Sequence, residues 1–263
     1  MLRFALIGDP VDHSLSPAMH EAGFRALDLD ATYERRRVAR GDVRAAIGEL
    51  WDEGFDGFNV TVPHKLEVME SLVSVDSRAQ AVGAVNTVIR RADGWHGTNT
   101  DATGFVRSLP KPAASYPRAL VLGAGGAARA VVSGLAEAGV AVRVSARRPG
   151  AAESLRDLGA TVVSWPPVLD APLVVNATSA SWHHGDAFVA SLPWTATQGL
   201  FVDLAYGIPL AFLKSAEAHG ATVLDGLGML VHQGALAFEM WTGESAPLEV
   251  MRGALVGALD AKS

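Results

Sequence analysis

The chain has 263 residues, of which 49% are hydrophobic and 19% charged, enough apolar material for one large or two modest domains. Lysine and arginine number 22 against 28 acidic residues, and the net charge of −6 argues against nucleic acid or an anionic membrane as a main partner. Cysteine is absent, which excludes disulfides, thiolate zinc sites and cysteine nucleophiles, and we expect no metal site.

The apolar segments are too short or too interrupted to predict a signal peptide or a membrane span. The first of them, Phe4–Gly8, ends at Asp9. The richest, Ala119–Ala136, is interrupted by Arg129, whereas a spanning helix needs about 20 continuous apolar residues. We therefore expect a soluble, cytoplasmic protein.

Apolar periodicity in the first part of the chain predicts strands and helices in alternation. The expected strands are Leu2–Gly8, Thr32–Val38, Gly57–Val62 and a hairpin that joins Val85–Arg91 to Gly94–Gly97. The expected helices begin with Ser16 as N-cap before Pro17, at Asp42, and at Lys65, the last of them running to Val75.

Three prolines between Leu109 and Pro117 indicate a linker. Beyond it, strands are expected at Arg118–Gly123, Val140–Ala146, Thr161–Ser164, Leu173–Asn176 and Leu200–Leu204, with helices at Gly125–Ala138 and Ala152–Leu158. This alternation is typical of a parallel, doubly wound sheet. From Leu230 the pattern is helical again.

A glycine-rich turn, Gly123-Ala-Gly125-Gly126, lies between a predicted strand and a predicted helix. Glycine permits the tight turn and lets backbone N–H groups approach a pyrophosphate, which the helix N-terminus stabilises. The strand before it and the helix after it make this a predicted dinucleotide site.

The end of the next strand bears on the choice of cofactor. An NAD site normally places Asp or Glu there, to bind the ribose 2′-hydroxyl. This chain has Ala146-Arg147-Arg148 instead, and guanidinium groups match a phosphate, which favours NADP. The alternative is a pair of solvated loop arginines.

Four polar clusters follow predicted strands in the first part of the chain: His13–Pro17, Asn59–Lys65, Gly83–Thr87 and Thr98–Asp101. Their hydroxyls, amides, ammonium and carboxylate suit a small polyhydroxylated acid, and a lysine–aspartate pair can handle a proton. Simpler readings are a solvated Lys65 and helix caps at Ser16 and Asp101. The histidines at positions 13 and 64 are interpreted as structural, and those at 183 and 184 as part of a surface loop without metal.

With these clusters in place, the chain resembles the shikimate dehydrogenases. The matching motifs, in family order over nearly the whole chain, are Gly8–Pro17, Asn59–Lys65, Gly83–Thr87, Asn99–Gly104, the Gly123 turn, Asn176–Ser179 and Gln233–Ala235. The resemblance implies an enzyme that reversibly reduces 3-dehydroshikimate to shikimate with NADPH in aromatic amino acid (chorismate) biosynthesis. It also implies an α/β fold of two domains. A substrate domain would comprise residues 1–103 and 230–263, and a Rossmann-like NADP domain residues 104–229.

The resemblance also implies roles for individual residues. Lys65 and Asp101 would form the catalytic pair, and Ser14 and Ser16 would bind the substrate carboxylate. The other substrate contacts would be Asn59, Thr61, Asn86, Tyr206 and Gln233. The cofactor contacts would be Gly123, Ala124, Gly125, Gly126, Ala127, Arg147, Arg148, Thr178 and Gly226.

Four segments depart from the family pattern. Ala146-Arg147-Arg148 replaces the usual Asn-Arg-Thr, and Ala180-Ser-Trp182 stands where a Gly-Met pair is common. The proline after Tyr206 comes one position late, and Leu227 stands where a glycine is common. Three alternatives therefore stay open: a quinate/shikimate dehydrogenase preferring NAD, a non-catalytic NADP or shikimate sensor, and a related dehydrogenase acting on folates or glutamyl-tRNA. The acidic charge disfavours the last. We expect a small-molecule substrate and a monomer or homodimer.

Overall fold

The computed structural model describes residues 1–148, 150–183, 185–195 and 198–261, so His184 lies outside the described residues. Within them, no helix combines the length and the apolar character needed to cross a membrane. The chain divides into unit 1, formed by Met1–Gly104 and the residues from Leu230 onward, and unit 2, Phe105–Met229. The first boundary lies one residue later than the sequence analysis placed it.

Unit 1 is built on a mixed six-stranded sheet with the order β2-β1-β3-β5-β6-β4. Its strands are β1 (Leu2–Gly8), β2 (Ala31–Arg37), β3 (Gly57–Val60), β4 (Ser74–Val75), β5 (Thr87–Arg91) and β6 (Gly94–Thr98). Its helices are α1 (Ser16–Ala26), α2 (Val43–Asp52), α3 (Ser77–Val82), α4 (Asp101–Ser108), which continues into unit 2, α9 (Leu227–Thr242), which begins there, and α10 (Leu248–Asp260).

Strand register brings polar residues of unit 1 into one row. β3 pairs antiparallel with β5 so that Asn59 lies opposite Thr87, and β5 pairs antiparallel with β6 so that Thr87 lies opposite Thr98. The chain leaves β3 toward Lys65, enters β5 from Asn86 and leaves β6 toward Asp101. Three loops therefore meet at one edge of this sheet.

Apolar packing covers both faces of the unit 1 sheet. On one face, Ile7, Phe58 and Trp95 pack with Ile47 and Leu50 of α2. On the other, aromatic rings from β1, α1 and α9 stack: the Phe4 centroid lies 5.5 Å from Phe24 and 4.6 Å from Trp241. Burial of such apolar surface stabilises the sheet that carries the polar edge.

Two expectations about unit 1 are wrong. The helix expected from Lys65 to Val75 is only a short 3₁₀ helix, Glu67–Ser71, followed by β4, because Ser74 and Val75 pair with β6. Ser16 is not an N-cap: it lies inside α1, after the cap residue Leu15, which makes no side-chain cap hydrogen bond in the part of the chain that the structure describes. Long-range strand pairing thus overrode a local helical pattern.

Unit 2 is a fully parallel six-stranded sheet with the order β12-β11-β10-β7-β8-β9. Its strands are β7 (Arg118–Leu122), β8 (Ala141–Ser145), β9 (Thr161–Val162), β10 (Leu173–Asn176), β11 (Leu200–Asp203) and β12 (Thr222–Leu224). Its helices are α5 (Gly126–Glu137), α6 (Ala180–His183), α7 (Gly185–Ala190) and α8 (Ala211–Ala218).

The chain starts unit 2 in the middle of its sheet and winds outward in both directions. The strand order reverses between β7 and β10, and parallel sheets bind ligands outside the carboxyl ends of strands at such a point. Both faces are covered: Ala119 and Val121 of β7 pack in one core, and Leu120 and Leu122 in the other. The strands expected here are present with small differences in length, whereas the helix expected at Ala152–Leu158 is a 3₁₀ helix, Glu153–Leu158.

Candidate active site

Lys65 and Asp101 are in contact at the polar edge of unit 1. Lys65 Nζ donates to Asp101 Oδ2 at 2.5 Å, and the side chains are 13% and 5% exposed. Asp101 is the first residue of α4, while Asn99 Oδ1 accepts from the backbone N–H of Ala102 and so serves the first turn of the helix. The Asp101 carboxylate is therefore not needed as a helix cap and is paired with a cation that keeps some access to solvent.

Asn86 holds this pair from the side. Its Nδ2 lies 2.8 Å from Asp101 Oδ1, 2.9 Å from Thr100 Oγ1 and 3.3 Å from Gln233 Oε1. Its Oδ1 accepts from the backbone N–H of Thr100 at 2.7 Å. One buried amide thus connects the start of β5 with α4 and with Gln233 of α9.

Gln233 reaches this edge because α4 and α9 approach closely within unit 1. A Cβ on Gly104 would lie 2.7 Å from the Gln233 Cβ, so a larger residue at 104 would push α9 away. Gln233 Nε2 donates to the Leu230 carbonyl at 2.9 Å. The structure therefore places Gln233 beside Asn86 and Asp101.

Asn59 has a different geometry from its neighbours. Its Oδ1 accepts from the Tyr33 hydroxyl at 2.7 Å, and its Nδ2 lies 3.1 Å from both the Asn86 carbonyl and Thr87 Oγ1. The amide group is buried and its hydrogens are engaged within the protein. Asn59 thus supports the chain at Asn86 and Thr87, and the substrate contact that the resemblance implied stays a prediction.

Ser14 and Ser16 form a hydroxyl pair in the loop between β1 and α1. Their Oγ atoms are 3.2 Å apart, and Ser14 Oγ accepts from the Ser16 backbone N–H. Arg35 Nη2 donates to the Ser14 carbonyl at 2.6 Å, which ties this loop to β2. Thr61, half-buried after β3, donates its backbone N–H to the Ile7 carbonyl at 2.9 Å. Two hydroxyl groups with a guanidinium nearby suit a carboxylate.

His64 is a structural residue by its geometry. It is fully buried, and its Nε2 lies 2.7 Å from the Val38 carbonyl oxygen.

The arginines that follow Arg35 are paired with acidic residues. Arg36 pairs with Glu34 and Glu53, which raise the pKa of its guanidinium, and Arg37 pairs with Asp9 at 2.7 Å. The basic run is an edge strand whose charges are largely balanced by acidic neighbours.

The glycine turn of unit 2 has the form expected of a dinucleotide site. Gly123 has φ of 118°, a conformation that favours glycine, and its N–H donates to the Ser145 carbonyl. Gly125 is the exposed N-cap of α5, and among the described residues no side chain caps the helix and no atom lies within 4 Å of a Cβ built at Gly125. Gly126 and Ala127 open the helix. Uncapped N–H groups at a helix N-terminus can bind an anion.

A cleft of about 460 Å³ lies at the end of β8. Arg147, Arg148 and Trp165 line it, together with Arg156, which is paired with Glu153 at 2.6 Å. Both Arg147 and Arg148 are exposed and follow β8 directly. Glycine turn, open helix N-terminus and arginine-lined cleft together fit a phosphorylated dinucleotide such as NADP.

Three further residues named from sequence lie in unit 2. Thr178 Oγ1 donates to Asn176 Oδ1 at 2.7 Å and holds the turn after β10. At Gly226 an added Cβ would lie 2.0 Å from the Leu204 carbonyl oxygen, so the backbone packs too closely for a side chain. The Tyr206 ring lies edge-on to Trp182, with centroids 5.9 Å apart.

Three polar partners were not predicted from the sequence. Tyr33 orients Asn59, while Asp203 and Ser181 bond to each other and to Asn176. Asp203 could have been found by the rule that selected Asp101, since it ends a strand of apolar residues. Ser181 and Tyr33 carry no local signal, because their partners are distant in sequence.

The comparisons with known proteins bear on this geometry. Residues 6–88 match the shikimate dehydrogenase substrate binding domain, and residues 226–256 match the shikimate 5′-dehydrogenase C-terminal domain. A curated relative from Hyphomonas neptunium, shikimate dehydrogenase (NADP(+)), is 44% identical over 248 residues, which cover 90% of each chain. The chain belongs to the shikimate dehydrogenase family.

Solved structures extend the likeness to the fold of the shikimate dehydrogenases. Shikimate 5-dehydrogenase from Thermus thermophilus in complex with shikimate is 40% identical, covers 99% of this chain and 100% of its own, and has a TM-score of 0.87. The ligand-free 5-ketofructose reductase of Gluconobacter sp. strain CHM43 is 32% identical, covers 98% of both chains and has a TM-score of 0.83. The family resemblance and the two-domain α/β fold with a Rossmann-like domain are confirmed.

Proposed function

We propose that this protein is an NADP-dependent shikimate dehydrogenase, which interconverts shikimate and 3-dehydroshikimate. The proposal rests on the contact between Lys65 and Asp101 in a chain of this family. Asn86 donates a hydrogen bond to the Asp101 carboxylate and holds the pair in place. A sensor needs no paired ammonium and carboxylate, whereas an alcohol dehydrogenase needs a group that moves the hydroxyl proton.

Substrate binding is assigned to unit 1. The hydroxyls of Ser14 and Ser16 donate hydrogen bonds to the carboxylate of shikimate, and Arg35 places a positive charge beside their loop. Asn59, Thr61, Asn86 and Asp101 are assigned to the ring hydroxyls, with Tyr206 and Gln233 as further substrate contacts. Asn59 also holds the Asn86 carbonyl.

Proton transfer is assigned to Lys65. When bound, NADP⁺ supplies the hydride acceptor for oxidation of the carbon that bears the reacting hydroxyl, and NADPH returns the hydride. In the oxidation direction the hydroxyl proton passes to the neutral amine at Lys65 Nζ. In the reduction direction the Lys65 ammonium donates that proton to the developing alkoxide. Asp101 orients the amine and stabilises its charged form.

Cofactor binding is assigned to unit 2. The N–H groups from Gly123 to Ala127 bind the pyrophosphate at the start of α5, and Arg147 and Arg148 bind the 2′-phosphate. Thr178 and Gly226 are assigned as further cofactor contacts. We further propose a cytoplasmic location and a monomer or homodimer, which cell fractionation and size-exclusion chromatography test.

The test is a substrate and cofactor matrix with the purified chain: shikimate and quinate, each with NADP⁺ and NAD⁺, followed by formation of the reduced cofactor. The proposal expects the highest kcat/KM for shikimate with NADP⁺. A higher value for quinate with NAD⁺ would transfer the protein to the quinate/shikimate enzymes. Binding of shikimate without any turnover would make it a sensor.

A further inference from the structure

Asp203 is a buried carboxylate that the proposed chemistry does not use. It ends β11 in unit 2 and is fully buried. Three donors surround it: Ser181 Oγ at 2.5 Å and Asn176 Nδ2 at 2.9 Å from Oδ2, and the Ala205 N–H at 3.0 Å from Oδ1. Burial raises the pKa of this carboxyl, with the nearby Asp225 adding to the shift. A buried charge is a poor way to stabilise a fold, so its partners indicate what it does.

Two of these partners flank the turn that follows β10: Asn176 ends the strand and Ser181 lies in α6. Asn176 Oδ1 accepts from both the N–H of Thr178, at 3.1 Å, and its hydroxyl, at 2.7 Å. Thr178 Oγ1 in turn accepts from the N–H of Ala180 at 3.2 Å, where α6 begins. Asp203 therefore fixes both ends of the turn, through Asn176 at the start and Ser181 after it.

This turn packs directly against the glycine turn of the dinucleotide site. A Cβ on Gly123 would lie 3.0 Å from the Ala177 carbonyl oxygen and 3.2 Å from Thr178 Cγ2. The Ala177 N–H donates to the carbonyl of Leu122, the last residue of β7, at 2.9 Å. A displacement of the turn after β10 would therefore change the position of Gly123.

The same carboxylate also fixes a second segment, after β11. Its Oδ1 holds the Ala205 N–H, and the next residue, Tyr206, lies edge-on to Trp182, which follows Ser181. Asp203 thus joins two segments that carry residues assigned to the site. Ser181 supplies the shortest of its hydrogen bonds.

We propose, on the basis of the NADP-dependent function above, that Asp203 and Ser181 are positioning residues that hold the Asn176–Trp182 turn against the Gly123 turn and thereby set the affinity for the dinucleotide. Neither residue needs to touch the cofactor. Their effect passes through the placement of Ala177 and Thr178 beside Gly123.

The test compares Ser181→Ala with a matched control, Ser191→Ala. Ser191 is also in unit 2 and its hydroxyl donates to the Phe188 carbonyl at 2.7 Å, away from the turn. The readouts are the Kd for NADP⁺ by calorimetric titration, and the separate KM values for NADP⁺ and shikimate. We expect Ser181→Ala to weaken NADP⁺ binding by about fivefold, the size of effect typical of indirect coupling, with the KM for shikimate little changed.

Asp203→Asn is a second variant, in which one acceptor oxygen is replaced by a donor. It should weaken NADP⁺ binding further, and combining it with Ser181→Ala should add little, because both act through one network. Unchanged NADP⁺ affinity in both variants, with only a lower Tm, would reduce the network to a structural role. NADP⁺ binding by a wild-type protein that does not oxidise shikimate would overturn the proposed function and leave this inference testable by Kd alone.

Discussion

His20 offers a quantitative test of the aromatic packing behind the site. It is fully buried, neither ring nitrogen has a hydrogen-bond partner among the described residues, and its ring stacks on Tyr33 with centroids 4.5 Å apart. Burial lowers the pKa of this imidazole from 6.5 to about 3. In the unfolded chain His20 therefore binds a proton once the pH falls below 6.5, whereas in the folded protein it does so only near pH 3.

The sign and the size of the effect follow from that difference. Stability falls as the pH drops, because protons favour the unfolded state, by about 1.4 kcal/mol for each pH unit between the two pKa values. Between neutral pH and about pH 5, His20 should remove roughly 2 kcal/mol of unfolding free energy.

His20→Phe removes this titration while keeping an aromatic ring against Tyr33, Phe24 and Phe238. Urea unfolding of wild type and variant, at neutral pH and at about pH 5, gives the free energies of unfolding. The loss on acidification should be smaller in the variant by roughly 2 kcal/mol. His13→Gln, at an exposed histidine, is the control and should keep the wild-type loss. If acidification lowered the free energy of unfolding equally in wild type and His20→Phe, His20 would be excluded as the source of the loss.

Two further predictions concern unit 2. Arg147→Ser should raise the KM for NADP⁺ by about tenfold and leave the KM for NAD⁺ near its wild-type value, because a charge-assisted bond to the 2′-phosphate is lost. Steady-state kinetics with each cofactor measures both constants, and an equal rise in the two KM values would contradict this prediction. Gly226→Ala places a methyl group 2.0 Å from the Leu204 carbonyl oxygen and should lower the free energy of unfolding by about 2 kcal/mol or more. Gly125→Ala, where the Cβ meets no atom within 4 Å, is its control in the same urea titration and should change stability by at most about 0.5 kcal/mol.

Much of the candidate site could be predicted because strand ends can be read from sequence. Asn86 and Asp101 are polar residues that flank predicted strands, and the register of β5 and β6 does bring them into hydrogen-bond contact. The glycine turn was predicted from its position between β7 and α5, which is where the structure places it. Local sequence patterns were therefore enough to predict those site residues that lie at the ends of neighbouring strands.

The remainder depends on contacts that no local pattern encodes. The segment after Lys65 has a helical pattern, yet Ser74 and Val75 pair with a strand formed more than 20 residues later. The amide of Asn59 is already engaged, by a tyrosine on another strand, which the motif could not reveal. Asp203 and Ser181 meet only once β11 lies beside β10.

Proton transfer by Lys65 is tested by measuring kcat for shikimate oxidation with NADP⁺ in the variant Lys65→Met. Lys111→Met, at an exposed lysine, is the control. Loss of general acid–base catalysis predicts a fall in kcat of at least about 100-fold, with the Kd for NADP⁺ unchanged and wild-type turnover in the control. A Lys65→Met protein that keeps near wild-type kcat would contradict the account.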